Sequence, residues 1–308
     1  MVNHIMQRNL FLALLLTALG SSSIAQKPTA KTDVLDDEPK GFTEVETFQG
    51  TVNSQSGVMK LDSTVGYDFN KHFGLFAGVP VYFSHVASIT TTTGTITTTT
   101  PASTESGVGN VYAGLTFRAP NPALDYESAI TVGGPTGSKT KGLSTGRATV
   151  DWDNRFEHSF SHFTPFFEGG LANTVPDSAF FTRPYTSLGG VSHLEEGANF
   201  DLLRRVSVGG SAYQIVPFGN QKVISRLAKQ KGTAITGTGK KPPFDTPGVT
   251  SGSDLTRENG FNAWIAFEPS RLWRLELGYT RSTTFDLNSF AFNLRFNVGK
   301  MLRSGKRS

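Results

Sequence analysis

Residues 58–83 have the sequence VMKLDSTVGYDFNKHFGLFAGVPVYF, and this stretch decides the fold. Up to Phe69, apolar side chains largely alternate with polar or charged ones such as Lys60 and Asp62. After the turn at 70–72, large apolar side chains again occupy every second position. A period of two is the signature of a β-strand with two different faces. The stretch therefore predicts two antiparallel strands joined by a short turn.

The same alternation recurs along the rest of the chain and predicts an all-β protein. It indicates twelve strands, or ten as the alternative, since the first is the weakest. The predicted strands are 43–54, 58–69, 73–86, 108–118, 125–134, 147–158, 163–172, 187–202, 206–217, 259–268, 272–282 and 288–299. With an even number of strands, both ends of the sheet lie on the same side of a membrane.

Three features favour an antiparallel up-and-down transmembrane β-barrel over a soluble β-sandwich. Many of the strands reach the length of about ten residues that a tilted strand needs to cross a bilayer. Short connections alternate with long segments at 87–107, 134–146, 173–186 and 218–258, as in outer-membrane barrels. The charged face of the strands suits a water-filled or ion-paired lumen better than a sandwich core.

If the apolar face contacts lipid, the opposite face lines the lumen. Two interpretations stay open: a polar conduit with a slight cation preference, or ion pairs that fill a narrow barrel without an open passage. The lumen-lining residues predicted in this way are Lys60, Asp62, Asp68, Arg118, Glu127, Asp151, Asp153, Arg155, Glu157, Glu168, His193, Glu195, Asp201, Arg274, Glu276 and Arg295. Glu196 breaks the alternation, which predicts either a bulge near Glu195 or a position near the membrane interface.

The two ends of the chain predict export. Arg8, an apolar run from Leu10 and the small residues around Ala25 form a signal-peptide pattern, whereas an uncleaved anchor would need a longer apolar run. After Ala25, no stretch approaches the length of about 20 apolar residues that a membrane helix needs. The predicted organisation is a signal peptide at 1–25, a flexible periplasmic lead-in at 26–42, the outer-membrane barrel at 43–299 and a basic periplasmic tail at 300–308.

Composition excludes several other classes of protein. The chain has no cysteine, so disulfides, thiol catalysis and cysteine metal sites are excluded. Its formal net charge is +4, but the basic residues cluster in the signal, one long loop and the tail, which does not make a nucleic-acid-binding face. The expected partners are outer-membrane lipid and a small-molecule solute, and the sequence does not indicate an oligomeric state.

Two long loops have distinctive sequences. Threonine runs at 90–93 and 97–100 predict two extended arms that form a hairpin above the membrane. Segment 218–258 is basic, and its first part, 221–230, has the apolar spacing of a short helix. A loop of this length is more often functional or disordered than neutral, so two alternatives stay open: a loop that covers the mouth or meets anionic lipid, or a disordered one.

Motifs for catalysis, metals and cofactors are weak. His193 and Glu195 share a strand face, which would suit a base and its orienting group, or a metal site with Asp201. Ser84 and His85 are adjacent and so point to opposite faces. The stretch GGPTG at 133–137 lacks the lysine and the following helix of a phosphate loop. The sequence predicts no enzyme, no metal and no cofactor.

Three segments resemble outer-membrane proteins of the phenol meta-degradation type, which are related to FadL-type channels. They are Ser106-Gly107-Val108-Gly109-Asn110 with the strand after it, Thr131-Val132-Gly133-Gly134-Pro135-Thr136-Gly137 with Lys141–Gly146, and Gly197–Phe200 through Leu203-Arg204-Arg205 to Tyr213. The resemblance implies passage of small hydrophobic or aromatic compounds across the outer membrane. FadL-type barrels are plugged by an N-terminal hatch, and residues 26–42 are too short and too polar to supply one.

Three functions follow as hypotheses. The first is a passive outer-membrane channel for small compounds, hydrophobic or aromatic ones among them. The second is a non-conducting barrel whose long external loops bind a surface partner. The third, and weakest, is a lipid-modifying enzyme of the outer membrane that uses His193 or His85.

Overall fold

A computed structural model describes residues 41–52, 56–93, 96–227, 242–244, 249–270 and 272–298. The predicted signal peptide, most of the lead-in and the basic tail lie outside the described residues. Among the residues described, no helix is long and apolar enough to cross a membrane. The strands are β1 (Gly41–Val52), β2 (Ser56–Asp68), β3 (Phe73–Val86), β4 (Ile89–Thr93), β5 (Ile96–Thr100), β6 (Ser103–Val108), β7 (Tyr112–Ala119), β8 (Asp125–Gly133), β9 (Thr149–Glu157), β10 (Phe163–Ala172), β11 (Tyr185–Leu188), β12 (Val191–Leu203), β13 (Val206–Pro217), β14 (Asn220–Ser225), β15 (Val249–Ser253), β16 (Glu258–Ser270), β17 (Trp273–Ser282) and β18 (Leu287–Phe296).

Twelve of these strands close into one antiparallel barrel. Neighbours in sequence pair around the wall, in the order β1, β2, β3, β7, β8, β9, β10, β12, β13, β16, β17 and β18. The pairing of β18 with β1, which places Glu44 opposite Phe296, closes the circle. The prediction of a twelve-stranded barrel is confirmed, and the alternative of ten strands is wrong. For β3, β10 and β13 the predicted bounds agree with the structure at both ends.

The predicted strand 108–118 corresponds to β7, which begins only at Tyr112 because the wall breaks before it, and β6 lies almost wholly in the segment 87–107 that was predicted as a loop. The first half of β3 pairs with β7 and the second half with β6. At the break, the backbone N–H of Gly109 donates to the carbonyl of Pro80 at 2.7 Å, and that of Val111 donates to Oγ1 of Thr136 at 2.8 Å. The Gly-Gly-Pro-Thr-Gly loop therefore satisfies the backbone groups that the break leaves unpaired.

The outer face of the barrel is apolar, as a wall in contact with lipid requires. Ile265, Leu277 and Phe292 lie side by side on three neighbouring strands and are 46, 49 and 40% exposed. Glu196 also points outward, and the pairing of β12 is regular on both sides of it. The predicted bulge at Glu195 is therefore absent, and the register shift in β12 lies nearer its end, between Asp201 and Leu203.

The connections at the two ends of the barrel differ in length. At one end short turns join the strands, and both β1 and β18 have their free ends there. At the other end lie the four long segments predicted, which makes it the external end by the rule for outer-membrane barrels. Two further connections at this end, from Val52 to Ser56 and from Ser282 to Leu287, are short, so the predicted alternation is not strict.

Strands of the long loops form two small sheets above the barrel. β4 and β5 pair with each other, so the threonine-rich arms do form a hairpin. β11, β14 and β15 form a three-stranded sheet that packs around buried Tyr185, Val223 and Phe244. The helix predicted at 221–230 is wrong, because Asn220–Ser225 is strand β14. Backbone pairing with Tyr185–Leu188 on one side and with β15 on the other overrides the local helical spacing.

We predict that Leu277→Arg on β17 destabilises the barrel in a bilayer by about 2–4 kcal/mol, the cost of a cation near the membrane midplane. Denaturant unfolding from phospholipid vesicles measures this change. Leu202→Arg is the matched control, since Leu202 is also exposed, at 60% against 49% for Leu277, but lies at the strand end, where the cost falls to about 0–1 kcal/mol. Equal losses for the two variants would contradict the assignment of the lipid-facing belt.

Candidate functional site

The segment between β10 and β11, residues 173–184, folds into the barrel and is called the plug here. Gln49 on the inner face of β1 donates from Nε2 to the carbonyls of Ser178 at 2.7 Å and Ala179 at 2.5 Å. In return, Thr182 donates from Oγ1 to Oε1 of Gln49 at 2.6 Å, and Thr51 donates to the carbonyl of Thr182 at 2.5 Å. Because β1 and β10 lie on different sides of the barrel, the plug crosses the lumen.

An aromatic stack holds the middle of the plug. The ring of Phe180 lies parallel to that of Trp264 on β16, with centroids 5.4 Å apart, and Phe166 of β10 packs at 6.2 Å from the same tryptophan. A β-carbon at Gly278 would overlap the Phe180 ring, and one at Gly209 would overlap Trp264. Two wall glycines therefore make the room that this stack occupies.

A buried carboxylate ties the plug to the wall and to the external loops. Asp177 accepts hydrogen bonds from the hydroxyl of Tyr82 at 2.8 Å, the backbone N–H of Arg183 at 2.9 Å and the guanidinium of Arg226 at 3.1 Å. The ammonium of Lys60 lies 3.7 Å from it. These four groups around Asp177 are called the Asp177 pocket.

The charge of Asp177 is stable in this pocket. Burial alone would raise its pKa, but the guanidinium of Arg226, the ammonium of Lys60 and the backbone N–H of Arg183 outweigh burial and lower the pKa to about 2. A second charge pair of the plug, in which Arg183 donates from Nε to Glu258 at 2.9 Å, is also buried. The plug is therefore fixed at Asp177 and at Arg183 by charge pairs out of contact with bulk water.

The predicted lumen residues fall into two groups. On β7 to β12 they form a charged wall: Arg118 pairs with Asp68 and Glu127, Arg155 with Glu157 and Glu168, and His193 with Asp151 and Asp153. The distances joining these pairs are 2.6, 2.9, 3.0, 2.9, 2.8 and 3.8 Å. Strand register aligns Arg118, Glu127, Arg155, Glu168 and Glu195 in one row across five strands.

The remaining predicted residues lie on the other walls or at the barrel end. Lys60 pairs with Asp62 at 3.2 Å, and Arg274 pairs with Glu276 at 2.9 Å. Arg295 lies directly opposite Arg274 on the neighbouring strand. Asp201 lies near the short-turn end of β12, opposite Ser207. That the whole set lines a passage stays a prediction.

The two sides of the interior differ in their access to water. On the walls that contact the plug, Gln49, Glu276, Thr280, Ser289 and Asn293 are 0–2% exposed. The side chains paired along the charged wall are 11–28% exposed. The inner side chains on the side of the plug are therefore shielded from solvent, whereas those paired along the charged wall are partly exposed.

The candidate catalytic residues do not assemble an active site. His193 donates from Nε2 to the carboxylate of Asp151 at 2.8 Å, so its partner is Asp151 rather than the predicted Glu195. His85 is exposed and bonds to Thr104 at 2.9 Å, while Ser84 is buried on the opposite face. Over the part of the chain that the structure covers, no group of three or more His, Asp or Glu side chains is arranged to hold a metal ion.

Sequence reasoning missed the plug and most of the Asp177 pocket. A loop that covers the mouth was one of the alternatives for the basic segment 218–258, and in the described part of that segment Arg226 reaches Asp177 of the plug. Residues 228–241 and 245–248 of that segment lie outside the described residues. The segment that enters the lumen is 173–184, which has no period of its own and whose partners on β1 are about 130 positions away in sequence.

Solved structures resemble this chain over most of its length. The COG4313 outer membrane channel from Pseudomonas putida F1 has a TM-score of 0.50 at 12% identity, over 87% of this chain and 98% of that one. The KdgM porin has a TM-score of 0.46 at 7% identity, over 82% and 98%. The CymD monoaromatic hydrocarbon channel has a TM-score of 0.39 at 6% identity, over 84% and 88%.

No protein-family model and no curated protein matches the chain. At 12% identity, the likeness to the Pseudomonas putida channel shows the fold alone. Together with the closed wall, it establishes that this chain has the twelve-stranded antiparallel barrel fold of outer-membrane channels.

We predict that Gly278→Ala displaces the plug, because the added methyl group overlaps the Phe180 ring. Trp264 then loses its stacked partner, and tryptophan emission shifts to longer wavelength as its environment becomes wetter. Gly50→Ala on β1 is the matched control, since a β-carbon there meets only Met59 at an ordinary 3.6 Å. An unchanged spectrum in folded Gly278→Ala protein would contradict the stack.

We predict that Asp177 stabilises the fold fully above about pH 4 and that this contribution disappears as the pH falls towards 2. Its pKa is about 2 in the folded protein and near 3.8 when unfolded, so the unfolded chain takes up the proton first. At neutral pH, the lowered pKa of Asp177 contributes about 2 kcal/mol to the free energy of unfolding. The measurement is the difference in unfolding free energy between the parent and Asp177→Asn at several pH values. A difference that stays constant down to pH 2 would contradict the pairing.

Proposed function

We propose that this protein is a channel of the bacterial outer membrane through which small compounds pass along the charged wall beside the plug. The observation that carries the proposal is the asymmetry of the interior. One side is filled by the plug and is dry, whereas ionisable side chains on the other side keep partial access to water. A barrel that served only as a scaffold would have no need of hydrated charges in its lumen.

The location follows from the same features. The apolar belt requires a bilayer, and closed barrels of this kind avoid unpaired backbone groups in it. The signal-peptide pattern at 1–25 supports export, with the lead-in at 26–42 and the tail at 300–308 on the periplasmic side.

The finer proposal is that the solutes include small hydrophobic or aromatic compounds, as the resemblance to the phenol meta-degradation type implies. The aromatic stack supports this, because Phe180 shows that the lumen accommodates a planar ring between Trp264 and the wall glycine Gly278. A guanidinium also lies over an aromatic ring nearby, with Arg155 3.7 Å from the centroid of Phe166. Membership of that family is part of the proposal.

One observation favours a second candidate, a barrel whose loops bind a surface partner. The β4–β5 hairpin pairs only with itself among the described strands and shares no strand pairing with the sheet of β11, β14 and β15. Removal of the hairpin separates the two functions, since a channel tolerates its loss and a loop-based receptor does not.

We predict that replacing residues 176–183 by a short glycine-serine linker raises the steady current through planar bilayers at least several-fold over the parent protein. The reason is that the linker removes the groups that cross the lumen. Deletion of the hairpin 89–100 is the control and leaves the current unchanged, because the hairpin makes no pairing with the barrel wall. Absence of current from both variants, in protein shown to be folded, would contradict the channel.

A further inference from the structure

The Asp177 pocket has the form of an anion-binding site that the chain fills with its own carboxylate. Its donors come from separate elements: Lys60 from β2, Tyr82 from β3, Arg226 from the loop after β14 and the backbone N–H of Arg183 from the plug. All of the side chains involved are at most 8% exposed. A guanidinium, an ammonium, a hydroxyl and a backbone amide are the groups that bind carboxylates in proteins.

The charges around the pocket do not balance without Asp177. Lys60 has a second carboxylate, Asp62, at 3.2 Å, and the guanidinium of Arg183 pairs with Glu258 at 2.9 Å. Within the described residues, Arg226 has no carboxylate partner except Asp177. Its other contacts are the hydroxyl of Thr186, the carbonyl of Arg183 and the ring of Tyr82. When Asp177 leaves, one buried positive charge stays unpaired, which is costly and favours entry of one anion.

The pocket is next to the external surface. Tyr82 and Arg226 of the pocket also line a shallow depression at the outer mouth. Lys141 also lines the depression, with its ammonium bonded to the carbonyl of Ser106 at 2.8 Å, and Glu105 is the one carboxylate among the lining residues. A small anion therefore has a cationic approach to the place that Asp177 occupies.

We propose that the Asp177 pocket is a binding site for the carboxylate group of a small molecule that enters from the outer mouth, and that Asp177 is its tethered occupant. Displacement of Asp177 breaks the ties of the plug to Tyr82, Lys60 and Arg226 together. That this displacement opens a passage rests on the proposed function, whereas the binding itself does not. A tethered group competes at an effective concentration in the millimolar range or above, so a free carboxylate binds weakly to the parent and far more readily once Asp177 is removed.

The test uses Asp177→Ala in the full-length refolded protein, with sodium acetate as the probe and sodium chloride at equal ionic strength as the reference. The expected result is a lower Tm for the variant and a rise of about 2–4 °C in acetate over chloride, because a ligand that binds only the folded state stabilises it. The parent and Asp254→Ala, which removes an exposed carboxylate paired with Arg257, show no such rise. If Asp177→Ala does not fold, Asp177→Ser, which also leaves the carboxylate position empty, replaces it.

Replacing Arg226 tests whether the rise in Tm comes from acetate bound in the Asp177 pocket. The double variant Asp177→Ala/Arg226→Gln is expected to lose the response to acetate, and a response that persists there would overturn the site. Equal Tm values of Asp177→Ala in acetate and chloride would overturn it as well. Acetate restores stability but cannot restore the tether, so the current of Asp177→Ala stays above that of the parent in both salts. An acetate-dependent Tm in a variant that never conducts would keep the binding site and overturn the proposed channel.

Discussion

The twelve strands of the barrel wall depend on the requirement that no backbone N–H or C=O group be left unpaired in hydrocarbon. Water is absent there, so a strand can lie in a bilayer only with a hydrogen-bonded neighbour on each side. The pairing of β18 with β1 meets this requirement for the last open edge. Where the wall breaks, between β6 and β7, the hydroxyl of Thr136 takes the place of a neighbouring strand for Val111.

Closure also determines the chemistry of the interior. Because side chains alternate along a strand, an outer face of leucine and phenylalanine forces the other half of each strand inward, and that half is polar. Twelve strands enclose more space than their own inward side chains fill. The plug fills one side with main-chain carbonyls, hydroxyls and the Phe180 ring, and ion pairs of the charged wall occupy the other. Asp177 ties the plug to strand β3 of the wall and to the external loop of Arg226 at once.

The fold was largely predictable from the sequence, and the site was not. Alternation is a local property, so β3, β10 and β13 could be located to the residue, and the inward position of Arg155 and Glu168 follows from the same period. The plug depends on contacts between residues about 130 positions apart, such as Gln49 with Ser178, for which no local pattern exists. For strand β14 a local pattern did exist but predicted the wrong structure. Its apolar spacing is helical, whereas its backbone pairs with β11 and β15. The bond of His193 to Asp151 depends on how neighbouring strands are aligned, and the alternation within one strand does not predict that alignment.

Because the chain has no native cysteine, disulfide cross-linking between introduced cysteines reports where the plug lies in the lumen. Thr51→Cys with Thr182→Cys places two thiols where a side chain of β1 now bonds to the backbone of the plug. Thr131→Cys with Thr182→Cys places the second thiol on β8, along the charged wall. We expect rapid and nearly complete disulfide formation under mild oxidation for the pair at 51 and 182, and little for the pair at 131 and 182. Equal cross-linking of the two pairs, or preference for the β8 pair, would contradict this position of the plug.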